Sequence, residues 1–371
     1  MEKQTKNACA LKTSIGGQAL MEGIMMKGPK KAAMAVRNPE GEIVLEEVAL
    51  KASSRPKFCK WPIFRGVLGF IDSMTLGYKC LMRSAEISGL EDLVEESPKK
   101  KKKREEKEAA SVELAPSTIE EATEESPVEE SKEATEEPAK KEEEKLPAWV
   151  ATVMMVASVV LAVLLAIGLF FYLPSKLYEL IFYNTGFLQT DSDVLNSFIK
   201  SLFEGLFKIA LLVGYMSAIS LMKDIRRTFM YHGAEHKTIF CYEAGLDLTV
   251  ENVRKMGRFH PRCGTSFLIL MLLVSMFISF FIDPISIALT YDVLPTAWRT
   301  LVRLLMFPIV MGIGYELIKF AGRHDNLLTR IISAPGVWLQ HLTVFEPTDD
   351  MIECAIMAVK EVIPNDGSDK W

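Results

Sequence analysis

Histidine is scarce in this chain. There are five in 371 residues, at positions 232, 236, 260, 324 and 341. A site built on imidazole therefore has few positions to draw on. Six cysteines are present: Cys9, Cys59, Cys80, Cys241, Cys263 and Cys354. None form C-x-x-C, and their scatter does not resemble a secreted disulfide framework. Reduced thiols in a cytoplasm-facing protein are the simpler expectation. The first thirty residues hold no apolar run of signal-peptide type, so membrane insertion has to rely on internal segments. Gly16-Gly17-Gln18 is not followed by G-K-[ST], which excludes a P-loop. Those glycines are expected to serve tight turns.

What the chain does have is apolar residues (49%) together with 25% charged ones. The two are segregated. Glu91 to Lys145 carries a net charge of about −9, so against −5 for the whole chain the remainder is about +4. The acidic pI of 5.8 is thus the property of one segment. That segment opens with the basic run Lys99–Arg104 and is then rich in Glu, Ala, Ser, Thr and Pro. It lacks the apolar surface to offset its ordering entropy and is expected to be a disordered tether. The basic run can touch anionic lipid, though a solvated tether is the plainer reading.

The rest divides into four parts. Residues 1–60 predict a small domain. Ala32–Arg37 and Glu42–Val48 flank Asn38-Pro39-Glu40-Gly41, a type I turn pattern, and so form a β-hairpin. Residues 61–90 predict an amphipathic helix, too charged to be a span, lying on the membrane or on the hairpin domain. Residues 146–330 hold four apolar runs: 148–173, 201–222, 265–282 and 300–320. Glu204 and Lys208 are spaced to pair on one helix face, and Pro308 should kink the last run. Residues 331–371 are expected to be a tail with one short helix, capped by Thr348 or Asp349 and docked on the cytoplasmic part. Lys and Arg crowd the connection 223–263, which places it and both termini in the cytoplasm. Lys176, Arg299 and Arg303 fall on the other side but are outnumbered. The expected fold is a mainly α-helical, four-span membrane protein with a small cytoplasmic α+β portion. The lipid bilayer is its expected partner; nucleic acid is not.

Tyr231-His232-Gly233-Ala234-Glu235-His236 carries the chemistry. It reads H-x-x-E-H, the order of the inverted zinc peptidases. On a helix, positions i and i+4 share a face, so His232 and His236 can bind one tetrahedral Zn²⁺, with other divalent metals as alternatives. Glu235 lies close enough to act as a proton acceptor. A third ligand can come from His260, Cys263 or Glu316. Binding by His232, His236, His260 and Cys263 together would close the site and make it structural. Against these stand plainer readings: interfacial histidines, loop packing of His260 and Cys263, or a Glu316 paired with Arg226. His324 and His341 are expected to be bland. A continuous helix from Met222 would lift His232 about 15 Å beyond the span, unless the chain breaks near Thr228. Gly233 weakens the helix slightly.

Three runs together resemble a known family. Ile15 to Pro29, Tyr231 to Lys237 and His260 to Thr265 are similar to the YqhQ-like family of bacterial membrane proteins. The likeness covers nearly everything except the tether, which is longer than the family needs. It implies a bacterial membrane protein, under the label "predicted metal-dependent enzyme", with a metal on His232, His236, His260 and Cys263. It supplies no substrate. The combined expectation is a zinc-dependent hydrolase at the inner membrane face, with Glu235 as the base. The alternative is a non-enzymatic scaffold, assembly factor or carrier with a structural zinc.

Overall fold

A computed structural model describes residues 12–50, 56, 59, 61–89, 148–324 and 326–370. The charged segment 91–145 and its basic run lie outside them. Four strands, β1 (Gly16–Leu20), β2 (Gly23–Lys27), β3 (Ala32–Arg37) and β4 (Ile43–Val48), form one antiparallel sheet in sequential order. The expected hairpin is its second half, with Arg37 opposite Ile43. The first half comes from residues 16–27, where only the tight turns of Gly16-Gly17 were expected. Strands β2 and β3 are buried on both faces, so they lack the polar alternation that marks a half-exposed strand. The glycines serve close packing instead. A Cβ on Gly17 would stand 2.7 Å from the Met25 carbonyl oxygen, and one on Gly23 would stand 2.4 Å from that of Ala35.

The two faces of the sheet bury different helices. Met25, Met34 and Val36 point one way, onto helix α1 (Phe64–Ile87) at Cys80, Leu76 and Leu81. Ile24, Met26, Ala33 and Ala35 point the other way, onto α4 (Lys223–Glu243) and α9 (Asp349–Val362). Tyr231 and Ala234 supply the α4 side; Met351, Ile352, Ala355 and Val359 supply the α9 side. The helix α9 begins after Thr348 and docks as expected. The helix α1 also reaches the apolar helices: Phe70 packs on Phe267, with ring centroids 5.7 Å apart.

Among the described residues, four helices are long and apolar enough to cross a membrane: Val156–Tyr183, Asp193–Ser220, Gly264–Thr290 and Thr296–Arg323. The first belongs to α2, which covers Ala148–Ile167 and continues through two π-helical turns to Tyr183. Of the described residues, 148–166 belong to a separate unit, an uncharged apolar helix. The others are α3 (Asp193–Ser220), α6 (Gly264–Thr290) and α7 (Thr296–Arg323). Each starts before the bound read from hydropathy, because polar first turns stay helical; α6 and α7 also end beyond it, whereas α3 ends at Ser220, short of the expected Met222. Between α3 and α4 the helix breaks at Met222, whose ψ of 130° is extended. The break comes earlier than Thr228.

Two helices were not expected. A short α5 spans Val250–Arg254, and α8 spans Leu327–Thr343, across the boundary drawn at 330. Pro335-Gly336 reads as a breaker in sequence. Here Gly336 lets α8 approach α6, since a Cβ there would lie 2.4 Å from that of Ser266. A capping box of Asn326 and Thr329 starts the helix.

Beyond α8 the chain passes directly over the H-x-x-E-H turn of α4. A Cβ on Gly233 would stand 2.0 Å from the Phe345 carbonyl oxygen, and the Phe345 N–H donates to Phe229 O at 3.0 Å. Gly233→Ala must therefore move backbone rather than a side-chain tip. It should cost about 1–3 kcal/mol in unfolding free energy, as overpacking does. Gly16→Ala meets nothing within 4 Å and should be nearly neutral. Thermal unfolding of the two variants in one detergent checks this.

Candidate metal centre

The sequence brings the site together from α4, the start of α6, and the segment leaving α8. On α4, His232 and His236 project from successive turns, with ring centroids 4.5 Å apart. Cys263 is the N-cap of α6, and its sulfur accepts from the Thr265 N–H at 3.4 Å. One donor atom from each of His232, His236 and Cys263 lies within 4.8 Å of the others. Nε2 of His232 is 3.1 Å from the Cys263 sulfur. Among the described residues this is the group of His, Cys and carboxylate donors able to hold one ion.

Backbone carbonyls set the tautomers. Nδ1 of His232 lies 3.0 Å from Thr343 O, and Nδ1 of His236 lies 2.6 Å from Arg258 O. A carbonyl oxygen only accepts, so each Nδ1 carries a proton and donates it. In the neutral rings this leaves both Nε2 lone pairs for the shared centre, as metal-ligating histidines are usually arranged. Burial alone would lower the His232 pKa and raise that of the Cys263 thiol. Their mutual attraction overrides burial: His232 is pushed up to about 9 and Cys263 well below its ordinary value. Without a metal the pair is thus an imidazolium facing a thiolate; the thiolate is the form that binds metal, and a metal would displace the Nε2 proton of His232.

Glu235 stands beside this group without joining it. One carboxylate oxygen accepts from the Gly17 N–H at 3.0 Å. The other is buried and has no hydrogen-bond partner among the described residues. Burial, the first cause, raises its pKa, and the nearby Cys263 charge acts in the same direction against the two histidines. Gly17 admits the carboxylate closely, since a Cβ there would be 3.0 Å from Glu235 Cδ.

The structure does not bring His260 and Glu316 into the donor group. The ring of His260 stands 5.6 Å from that of His236 but is engaged elsewhere. Its Nδ1 accepts from the Arg262 N–H at 3.3 Å, and its Nε2 faces Glu243 at 3.6 Å. Burial, with the Arg262 charge, pulls His260 down to about 4, so it is neutral. Glu243 also pairs with Arg262 and accepts from the Thr13 N–H. His260 therefore belongs to a network behind the centre. Gln340 of α8 clamps its backbone, accepting from His260 N–H at 2.8 Å and donating to His260 O at 2.7 Å. Glu316 is taken by Arg65 of α1 through two hydrogen bonds, not by Arg226, whose guanidinium lies over the Phe345 ring. His324 and His341 bond to carbonyls of their own helices, as expected of bland positions.

Sequence reading missed Thr343, Arg258, Gln340 and Gly17. The first two act through backbone carbonyls, which leave no residue signature. Gln340 lies in the unexpected helix.

A family described as "Protein of unknown function (DUF1385)" has a model that matches residues 61–365. "Uncharacterized protein YqhQ" of Bacillus subtilis (strain 168) is 30% identical over 354 residues, covering 94% of this chain and 92% of that protein. No solved structure matches. The match spans the donor residues, the apolar helices and the clamp from α8, and the chain belongs to the DUF1385, YqhQ-like family of proteins of unknown function.

Proposed function

We propose that this chain is a membrane-embedded, metal-dependent hydrolase whose centre is held by His232, His236 and Cys263 at the cytoplasmic face. The observation that carries the reading is the three-donor group with both Nδ1 protons fixed on carbonyls. Two nitrogens and one sulfur suit Zn²⁺ better than an oxygen-loving ion. Tetrahedral zinc at ordinary bond lengths needs donors about 3.3–3.7 Å apart. A group that already lies within 4.8 Å needs only small side-chain movements. Three protein ligands leave a fourth position open, as catalytic sites do. A bound zinc would supply Lewis acidity, lowering the pKa of water and polarising the scissile group.

The protein's own part falls to Glu235. Its unpartnered oxygen is free to take a proton from the attacking water and return it to the leaving group. The Gly17 N–H holds the other oxygen and so fixes the plane of the carboxylate. His232, half-buried, is the donor nearest to solvent; His236 and Cys263 are buried. One apolar helix starts beside the centre, at Gly264 next to Cys263, which suits a substrate at the membrane surface.

A second reading has one observation in its favour. His236 and Cys263 are 2% and 7% exposed, burial that also fits a structural zinc tying α4 to α6 in a scaffold or carrier. Glu235 separates the two readings.

Purified protein should hold about one zinc-like ion per chain. Elemental analysis of the double variant His232→Ala/His236→Ala should show it gone. Unchanged metal content would reject the assignment.

Glu235→Gln keeps size and removes basicity. For a hydrolase it should fold, retain metal and lose at least about 10²-fold in function, the usual worth of a general base. That loss is read by complementation of a deletion strain. Full complementation by a stably expressed Glu235→Gln would leave the scaffold reading.

The basic excess of 223–263 supports a placement of that segment inside the cell. A cysteine introduced near Gly245, at the exposed Leu246, should resist impermeant thiol reagents in intact cells. Labelling from outside would reverse the topology.

A further inference from the structure

The apolar helices carry a second polar cluster, at their end away from the histidines. Helix α3 brings Glu204 and Lys208, α6 brings Asp283, and α7 brings Arg299 and Arg303. Asp283 lies seven residues before the end of α6, and Arg303 seven after the start of α7. That depth is about 10 Å along each helix. All five are buried: Asp283 0%, Arg299 1%, Glu204 1%, Arg303 6% and Lys208 7% exposed.

Two ion pairs account for four of them. Arg299 meets Asp283 at 2.7 Å, and Arg303 meets Glu204. Glu204 also accepts from Ser175, and Arg299 donates to Ser201 at 2.8 Å. The pair expected within α3, Glu204 with Lys208, gives way to one between helices. Lys208 is left over. Its ammonium lies 5.0 Å from the centre of the Phe171 ring and has no carboxylate within ion-pair distance among the described residues. It remains within electrostatic reach of Arg303, Glu204 and Arg299.

Lys200 is also within electrostatic reach but has its own partner in Glu179 at 3.7 Å, so among the buried groups three cations face two carboxylates. One positive charge is unbalanced where burying a charge costs several kcal/mol. Hydrogen-bond donors are in surplus as well. Among the described residues four buried guanidinium nitrogens, Nε and Nη2 of Arg303 and Nε and Nη1 of Arg299, lack an acceptor in hydrogen-bond geometry, against three such acceptor atoms, Glu204 Oε2 and both oxygens of Asp283. Water could satisfy the donors but not the charge. A singly charged oxyanion satisfies both, since guanidinium forks and an ammonium bind carboxylate or phosphate oxygens well.

We propose that Lys208, Arg303 and Arg299 form a binding site for a monoanionic oxyanion within the apolar helices, separate from the histidine–cysteine centre. Glu204 and Asp283 hold the two arginines in place and limit the site to one negative charge. The occupant is either a phosphodiester head of a lipid or a free anion such as phosphate. The inference does not depend on the metal reading.

Full-length protein, purified in detergent and stripped of lipid, is unfolded thermally with inorganic phosphate against chloride at equal ionic strength. In parallel it is unfolded in nanodiscs of phosphatidylglycerol or of phosphatidylcholine. A saturable rise in Tm with phosphate identifies a free anion. A rise with phosphatidylglycerol alone identifies a lipid head. In either case Lys208→Met should weaken the midpoint by about tenfold or more. Lys208→Gln takes its place if that variant does not accumulate. No rise in the wild type, or an equal rise in the Lys208 variant, overturns the site.

Discussion

Two hydrogen bonds to main-chain carbonyls organise the histidine–cysteine group of this protein. Thr343 O takes the Nδ1 proton of His232, and Arg258 O takes that of His236. Each carbonyl belongs to a segment that must be held against α4 by its own packing. Thr343 ends α8, and the chain beyond it crosses Gly233 and bonds Phe345 to Phe229. Arg258 precedes His260, whose backbone is clamped by Gln340. The orientation of two imidazoles thus depends on α8, on the 255–263 connection and on a glycine inside the motif. Removing any of these frees a ring to rotate and the donor group is lost.

The same logic explains why the sheet is there. Its face packs on Tyr231 and Ala234, the residues of α4 between and beside the donors, while β1 sends the Gly17 N–H to Glu235. Glu22, at the β1–β2 turn, pairs with Arg227 and accepts from Tyr231. The sheet and α9 therefore act as a backing plate for the motif helix. On the other side of the centre, Glu243, Arg262, Tyr242 and Asp369 tie the motif helix to both ends of the described chain through Thr13. His260 works in that network rather than as a donor.

Much of this was legible before the structure. The H-x-x-E-H spacing is local and period-driven, so it survives whatever the tertiary fold does. The four apolar helices and the Thr348 start of α9 are likewise local signals, and Cys263 was among the named third donors. What failed was long-range or hidden. Strand β2 is buried on both faces and β1 is only partly buried, and the glycines of both mask the strand pattern. Pro335-Gly336 masked α8, since its breaker signal is overruled by packing on Ser266. Glu316 found Arg65, 251 positions away, which no spacing rule reaches. Glu204 likewise left Lys208 for Arg303 of another helix. Gly233 read as a flaw in the helix; it is the place where another segment's backbone passes.

The central claim is a metal held by two imidazoles and one thiolate with a fourth position open. X-ray absorption at the zinc edge on purified full-length protein tests it most directly. The expected first shell has one sulfur at about 2.3 Å and nitrogen or oxygen neighbours at about 2.0–2.1 Å, with imidazole scattering from two histidines. Cys263→Ser should remove the sulfur and keep the imidazoles. A shell without sulfur, one with two or more sulfurs, or a protein that binds no metal under zinc-replete conditions would contradict the account.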